Sequence, residues 1–148
     1  MSNSLSGTLH ADSHPLLQRV YFEHTDFSGI VYHARYLNFL ERGRTDYVRL
    51  MGVHHNELDD GKHGERLAFA VHRMEIDFKA AARIDDVLEI LTHRGTLKGP
   101  RLTFDQSISR GDTLILMAKV TVVLINNQGR PRRFPKAMID AMGLKAGT

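Results

Sequence analysis

The chain of 148 residues contains no cysteine. That excludes disulfides, a cysteine nucleophile and thiolate metal sites, and it suits a reducing compartment. No apolar run is long enough to span a membrane. The opening stretch MSNSLSGTLHADSH is Ser-rich and polar, without the apolar segment of a signal peptide. The expected address is therefore the cytoplasm, with residues 1–14 a flexible N-terminal tail and residues 15–148 one domain. Repeats, low-complexity segments and interdomain linkers are missing. So is any Lys/Arg-rich helix: the net charge is only +3, and the basic residues are scattered apart from Arg130, Arg132 and Arg133. With no nucleic-acid motif either, no nucleic-acid partner is expected. His54, His55 and His63 share a stretch but lack the fixed helical spacing of zinc hydrolase motifs, so no metal is expected.

What is present is ordinary globular material, 42% hydrophobic and 25% charged, long enough to bury a real core. Arg19 to Glu23 reads as a short aromatic strand and Thr25 to Gly29 as a tight polar turn. From Val31 or Tyr32 to Met51, Tyr36, Leu40, Gly43, Tyr47 and Met51 recur every three or four residues. Leu37, Phe39, Val48 and Leu50 widen that stripe, which predicts a long helix largely enclosed by something else. Residues 52–66 are polar and punctuated by glycine, a loop with room for one short helical turn.

The period then changes to two. Ala68 to Lys79 alternates as a long strand, and strands follow over Asp86–Leu97 and Arg101–Ser109 around a Lys98-Gly99-Pro100 turn. The last strand, Thr113–Ile125, is apolar on both faces, which predicts a central position. Pro135–Met142 reads as a terminal helical turn. Four successive strands with short connections predict antiparallel neighbours. The economical arrangement is an α+β fold in which one curved antiparallel sheet wraps around one long central helix. Exposed sheet edges favour association of two copies.

The turn before the helix carries chemistry. It places the carboxylate of Asp26 directly before a helix start, where unpaired backbone N–H groups and a partial positive charge can stabilise an oxyanion. Two readings stay open on the residues alone. Asp26 either caps the turn or helix, as Asp often does, or serves as a nucleophile or base.

The pattern from Thr25 through Asp26, Gly29, Val31, Tyr32, His33 and Tyr36 into a helix resembles that of the hotdog-fold acyl-CoA thioesterases. Within them it is similar to the group of the 4-hydroxybenzoyl-CoA thioesterases and the Tol–Pal-associated thioesterases. Lys79 to Asp86, Gly99 to Phe104 and Gly129 to Pro135 carry the resemblance on, so it covers about Val20 to Pro135. It departs at His24, where the Tol–Pal-associated group commonly has an acidic residue; that difference bears on substrate preference and leaves the Asp26 carboxylate in place.

The resemblance implies hydrolysis of an acyl-CoA, or of an acyl-carrier-protein thioester, by a homodimer or homotetramer without a cofactor. It implies catalytic roles for Asp26 and His33, the latter orienting Asp26, substrate or water, and substrate contacts by Gly29, Tyr32 and Tyr36. Amides around Tyr32 and His33 are expected to polarise the thioester oxygen. Glu41, within the helix, is the rival carboxylate, and Tyr36, Phe39 and Tyr47 are candidates to set pocket depth. Lys79, Arg83, Arg101 and the Arg130–Arg133 cluster are candidates for the CoA phosphates. The alternative to an enzyme is a non-catalytic module that binds acyl-CoA or acyl-carrier protein.

Overall fold

The computed structural model describes residues 5, 7, 9 and 13–144. Strand β1 is Ser13–Arg19, followed by a single 3-10 turn over Phe22–His24 and helix α1 at His33–Leu50. A short helix α2 (His55–Asp59) precedes strands β2 (Leu67–Phe78), β3 (Val87–Lys98), β4 (Arg101–Arg110) and β5 (Thr113–Asn126), and helix α3 (Lys136–Ala141) closes the chain. All five strands form one antiparallel sheet in the order β1-β3-β4-β5-β2.

Helix α1 lies on one face of that sheet because its stripe is apolar and closely fitted. Phe39, Leu40, Tyr47 and Val48 are buried, with Tyr47 edge-on to Phe104 at 6.1 Å. Gly43 is what lets the helix approach. A Cβ there would stand 2.8 Å from both Ile90 Cγ2 and Thr92 Oγ1 of β3, closer than packed atoms tolerate.

Three expectations change. The first strand lies earlier than Arg19–Glu23: it runs Ser13–Arg19, and the aromatic stretch after it turns. Its inward residues are His14, Leu16 and Gln18, two of them polar, so the alternation was concealed. Ser13 and His14 thus belong to the sheet, while most of the residues before them lie outside the described ones. Second, β2 is not the neighbour of β3. It pairs with β5 at the far edge, and residues 79–86 carry the chain across to β3. Third, the alternation in β2 is not continuous: Val71 pairs with Val122 and Arg73 with Thr121, leaving His72 as an extra residue. That bulge switches the inward set from Leu67 and Phe69 to Met74 and Ile76. β5 is flanked on both sides, as its two apolar faces predicted.

Candidate active site

The turn that carries Asp26 is a small hairpin closed by its own hydrogen bonds. The Asp26 amide donates to the Ile30 carbonyl at 2.9 Å, and the Gly29 amide donates to the Asp26 carbonyl at 3.0 Å. Thr25 bridges Val31, and the Tyr32 amide donates to the His24 carbonyl at 3.0 Å. Gly29 has φ +85°, left-handed backbone that suits glycine, and no atom lies within 4 Å of where its Cβ would stand. The carboxylate accepts from the Ser28 hydroxyl at 2.5 Å and the Ser28 amide at 2.9 Å, both at Oδ1. Those bonds, the hydroxyl's first, hold its pKa below the ordinary aspartate value. Asp26 is exposed and ionised at neutral pH, and it does not cap α1, whose N-cap is Tyr32 without a side-chain cap hydrogen bond.

Behind the turn stands the crossing segment 79–86. The Val31 amide donates to the Ala82 carbonyl at 2.8 Å, and Ile30 bridges Arg83. The segment is pinned in turn by Tyr36, whose hydroxyl accepts from the Ala82 amide at 3.0 Å, and by Asp86. Asp86 Oδ2 accepts from the Arg83 amide at 2.8 Å and from Arg110 Nη1 at 2.7 Å. Burial works against the Asp86 carboxylate, but the Arg83 amide and Arg110 outweigh it, and its pKa lies below the ordinary value. The turn is therefore held by two layers, one local and one supplied by segment 79–86, itself tied to Arg110 of β4.

The expected site residues separate on this frame. Asp26 and Gly29 sit together in the turn. Tyr32 and His33 follow at the helix entrance, both exposed, their rings 4.6 Å apart, and no hydrogen bond joins His33 to Asp26. Tyr36 is 4% exposed; its hydroxyl is engaged by Ala82 and its ring packs on Phe78 at 5.9 Å, so it braces the site from beneath. Burial, the largest influence, raises its pKa. Phe39 and Tyr47 are likewise core. Of the amides expected to meet an oxyanion, Tyr32's is already taken by His24; those of His33 and Ala34 keep no backbone acceptor among the described residues. His24 stands edge-on to Phe39 at 4.9 Å and accepts the Tyr21 amide at Nδ1, 2.9 Å away. Among the basic candidates, Arg83 stands next to the turn, whereas Arg132 is paired with Glu65 at 2.9 Å.

The other half of α1 borders a cavity of about 70 Å³. Glu41, Arg44 and Thr45 of the helix line it together with His55, Phe69 and Phe104. Arg44 is buried, and its Nη1 donates to Gln106 Oε1 at 3.0 Å. Gln106 is itself fixed, its amide nitrogen 2.9 Å from both the Leu40 carbonyl and Thr92 Oγ1. The sequence held one signal for this arginine: it lies four residues after Leu40 and four before Val48, on the buried stripe.

Fold and turn together match a known family. The model of the thioesterase-like superfamily fits residues 20–142, well over half of the chain. The chain belongs to that superfamily. This thioesterase-like protein is 41% identical over 123 residues to the acyl-CoA thioester hydrolase YbgC of Escherichia coli O6:H1, covering 82% of this chain and 89% of the relative. A probable thioesterase from Bartonella henselae superposes with a TM-score of 0.81 at 46% identity, covering 83% of this chain and 99% of the other. The 4-hydroxybenzoyl-CoA thioesterase of Pseudomonas sp. strain CBS-3 shares the hotdog fold at a TM-score of 0.81 with 23% identity, over 88% of this chain and 99% of that one.

Proposed function

We propose that this protein hydrolyses acyl-CoA thioesters to a free carboxylic acid and coenzyme A, with Asp26 as the reacting carboxylate. The reading is supported by an exposed, ionised Asp26 in the turn that leads into α1, whose first amides, those of His33 and Ala34, keep no backbone acceptor among the described residues. The thioester carbonyl accepts from those amides, which stabilise negative charge as it develops on the oxygen. Asp26 either attacks that carbon, expelling the CoA thiolate and leaving a mixed anhydride for water to cleave, or draws a proton from the attacking water. Its lowered pKa makes it a weak base and favours the nucleophilic route. His33 at the same entrance orients water or substrate, Gly29 leaves the approach open, and exposed Tyr32 borders it. Arg83, beside the turn, is the candidate among the basic residues to meet a CoA phosphate.

The protein works as a homo-oligomer in this reading. Strand β2 is a sheet edge, and its Val71 is 50% exposed. We infer that two copies pair there about a two-fold axis and that the site lies at their interface, with Asp26 from one protomer and part of the pocket from its partner. Among the described residues no helix is long and apolar enough to cross a membrane. With no cysteine in the chain, we place the protein in the cytoplasm.

Thiol release from a panel of acyl-CoA and acyl-carrier-protein thioesters tests the proposal, with Asp26→Asn and Glu41→Gln alongside the wild type. Turnover on at least one CoA ester, reduced on the order of a hundredfold or more in a folded Asp26→Asn protein, is the expected outcome. Turnover abolished by Glu41→Gln and retained by Asp26→Asn overturns the assignment. Binding of acyl-CoA without any thiol release supports the non-catalytic module instead.

A further inference from the structure

Arg44 has no part in the chemistry at Asp26, yet its setting is costly. It is 8% exposed, and the one acceptor it meets among the described residues is Gln106 Oε1. No carboxylate of the described residues lies within ion-pair distance of it. Desolvation depresses its pKa, and the nearby charge of Glu41 only partly restores it. A guanidinium presents a planar fork of donors, and burying such a fork without acceptors is unfavourable. An apolar side chain of similar volume packs at least as well against Val48, Phe104 and Val122, so helix packing alone does not account for an arginine there. Since Gln106 is locked by Leu40 and Thr92, it cannot turn to satisfy more of the fork. The remaining donors border the cavity.

We propose that this cavity receives the far end of the acyl group, and that Arg44 selects acyl groups ending in an oxygen acceptor over plain alkyl groups. The inference rests on the acyl-CoA reading above and on the two-protomer site inferred with it, in which part of the pocket comes from the subunit that does not supply Asp26. The cavity is small, about 70 Å³, and takes a terminal carboxylate, carbonyl or hydroxyl rather than a long chain. Its walls are mixed in the manner of a specificity pocket: Phe69, Val71 and Val122 flank the stem of a ligand, and Arg44 meets the tip. A terminal carboxylate gains the paired, charge-assisted bonds for which a guanidinium is shaped. Exposed Glu41 at the rim counts against an anion and for a neutral oxygen, so the two kinds of tip need separate arms in the test.

Hexanoyl-CoA, 6-hydroxyhexanoyl-CoA and adipoyl-CoA share one chain length and differ only at the tip. On the wild-type protein, at least one of the two oxygen-ended substrates is expected to exceed hexanoyl-CoA in kcat/KM by about tenfold or more. Arg44→Met is expected to shrink that ratio, and Arg44→Lys to restore part of it. A wild type that prefers hexanoyl-CoA overturns the inference without any variant, and so does a ratio unchanged in folded Arg44→Met. If none of the three releases thiol, the acyl-CoA reading fails on this panel, and the free acids decide the pocket separately. A larger rise in wild-type Tm with adipate or 6-hydroxyhexanoate than with hexanoate upholds Arg44; equal shifts overturn it.

Discussion

At its N-terminal end α1 begins beside a carboxylate in water, framed by hydrogen bonds between residues only a few positions apart, Ser28 to Asp26 and Tyr32 to His24. About three turns further along, the same helix carries a guanidinium enclosed by β4 and β5 and held by Gln106, far away in sequence. The first region is shaped by local turn chemistry and then backed by segment 79–86 through Val31 and Ile30. The second exists only when helix and sheet meet. The candidate carboxylate is thus placed mainly by short-range bonds, while the buried guanidinium is placed by long-range packing, and substitutions in the two regions are expected to fail in different ways.

Asp26→Asn breaks the comparison from the local side with the largest effect. Thiol release falls on the order of a hundredfold or more while Tm stays close to wild type, because the exposed carboxylate bonds within its own turn, to Ser28. Gly43→Ala acts from the long-range side. Its Cβ meets Ile90 and Thr92 at 2.8 Å, so the helix must lift from the sheet at a cost of about 1–3 kcal/mol, read as a lower midpoint in urea unfolding. An unchanged midpoint removes the claim that close approach is decided at this glycine.

Asp86→Asn tests the layer that joins the two regions. The folded pKa of Asp86 is depressed, so its stabilisation is present above the unfolded aspartate pKa and is lost as pH falls through the lower folded value. The wild-type Tm is expected to decline across that acid window. The variant is expected to start lower at neutral pH and to decline less. Matching acid limbs in the two proteins dismiss the Asp86–Arg110 link as a contributor. Ser28→Ala is the smallest change. Without the hydroxyl, the Asp26 pKa rises toward the ordinary value, so the acid limb of kcat/KM moves to higher pH while the rate at neutral pH changes little. An acid limb that stays in place assigns it to another group.

Much of this architecture was legible from residues alone, where the signal was periodic and local. The stripe Tyr36, Leu40, Gly43, Tyr47 gave α1 to within two residues at each end, and the turn at Lys98-Gly99-Pro100 gave the β3–β4 hairpin. Strand β1 was misplaced because polar His14 and Gln18 fill its inward positions. The place of β2 was also hidden. Nothing in residues 79–86 states whether the chain turns back on itself or crosses the sheet, and the bulge at His72 reverses which alternation points inward. Tyr36 was expected to contact substrate; that its hydroxyl accepts from the Ala82 amide, 46 residues away, is something no linear pattern announces.

The sequence by itself determined the components: an aspartate and a glycine in a tight turn before a helix, a helix with one buried stripe, and strands of period two. These are consequences of backbone preference and hydrophobic spacing, which act over a few residues. Tertiary structure decided what the components serve. It closed segment 79–86 behind the turn, committed the Tyr32 amide to His24, and enclosed Arg44 beside Gln106. The closure by segment 79–86 and the enclosure of Arg44 depend on burial and on hydrogen bonds between residues remote in sequence, and the Tyr32–His24 bond on how the hairpin closes; a linear pattern carries none of these.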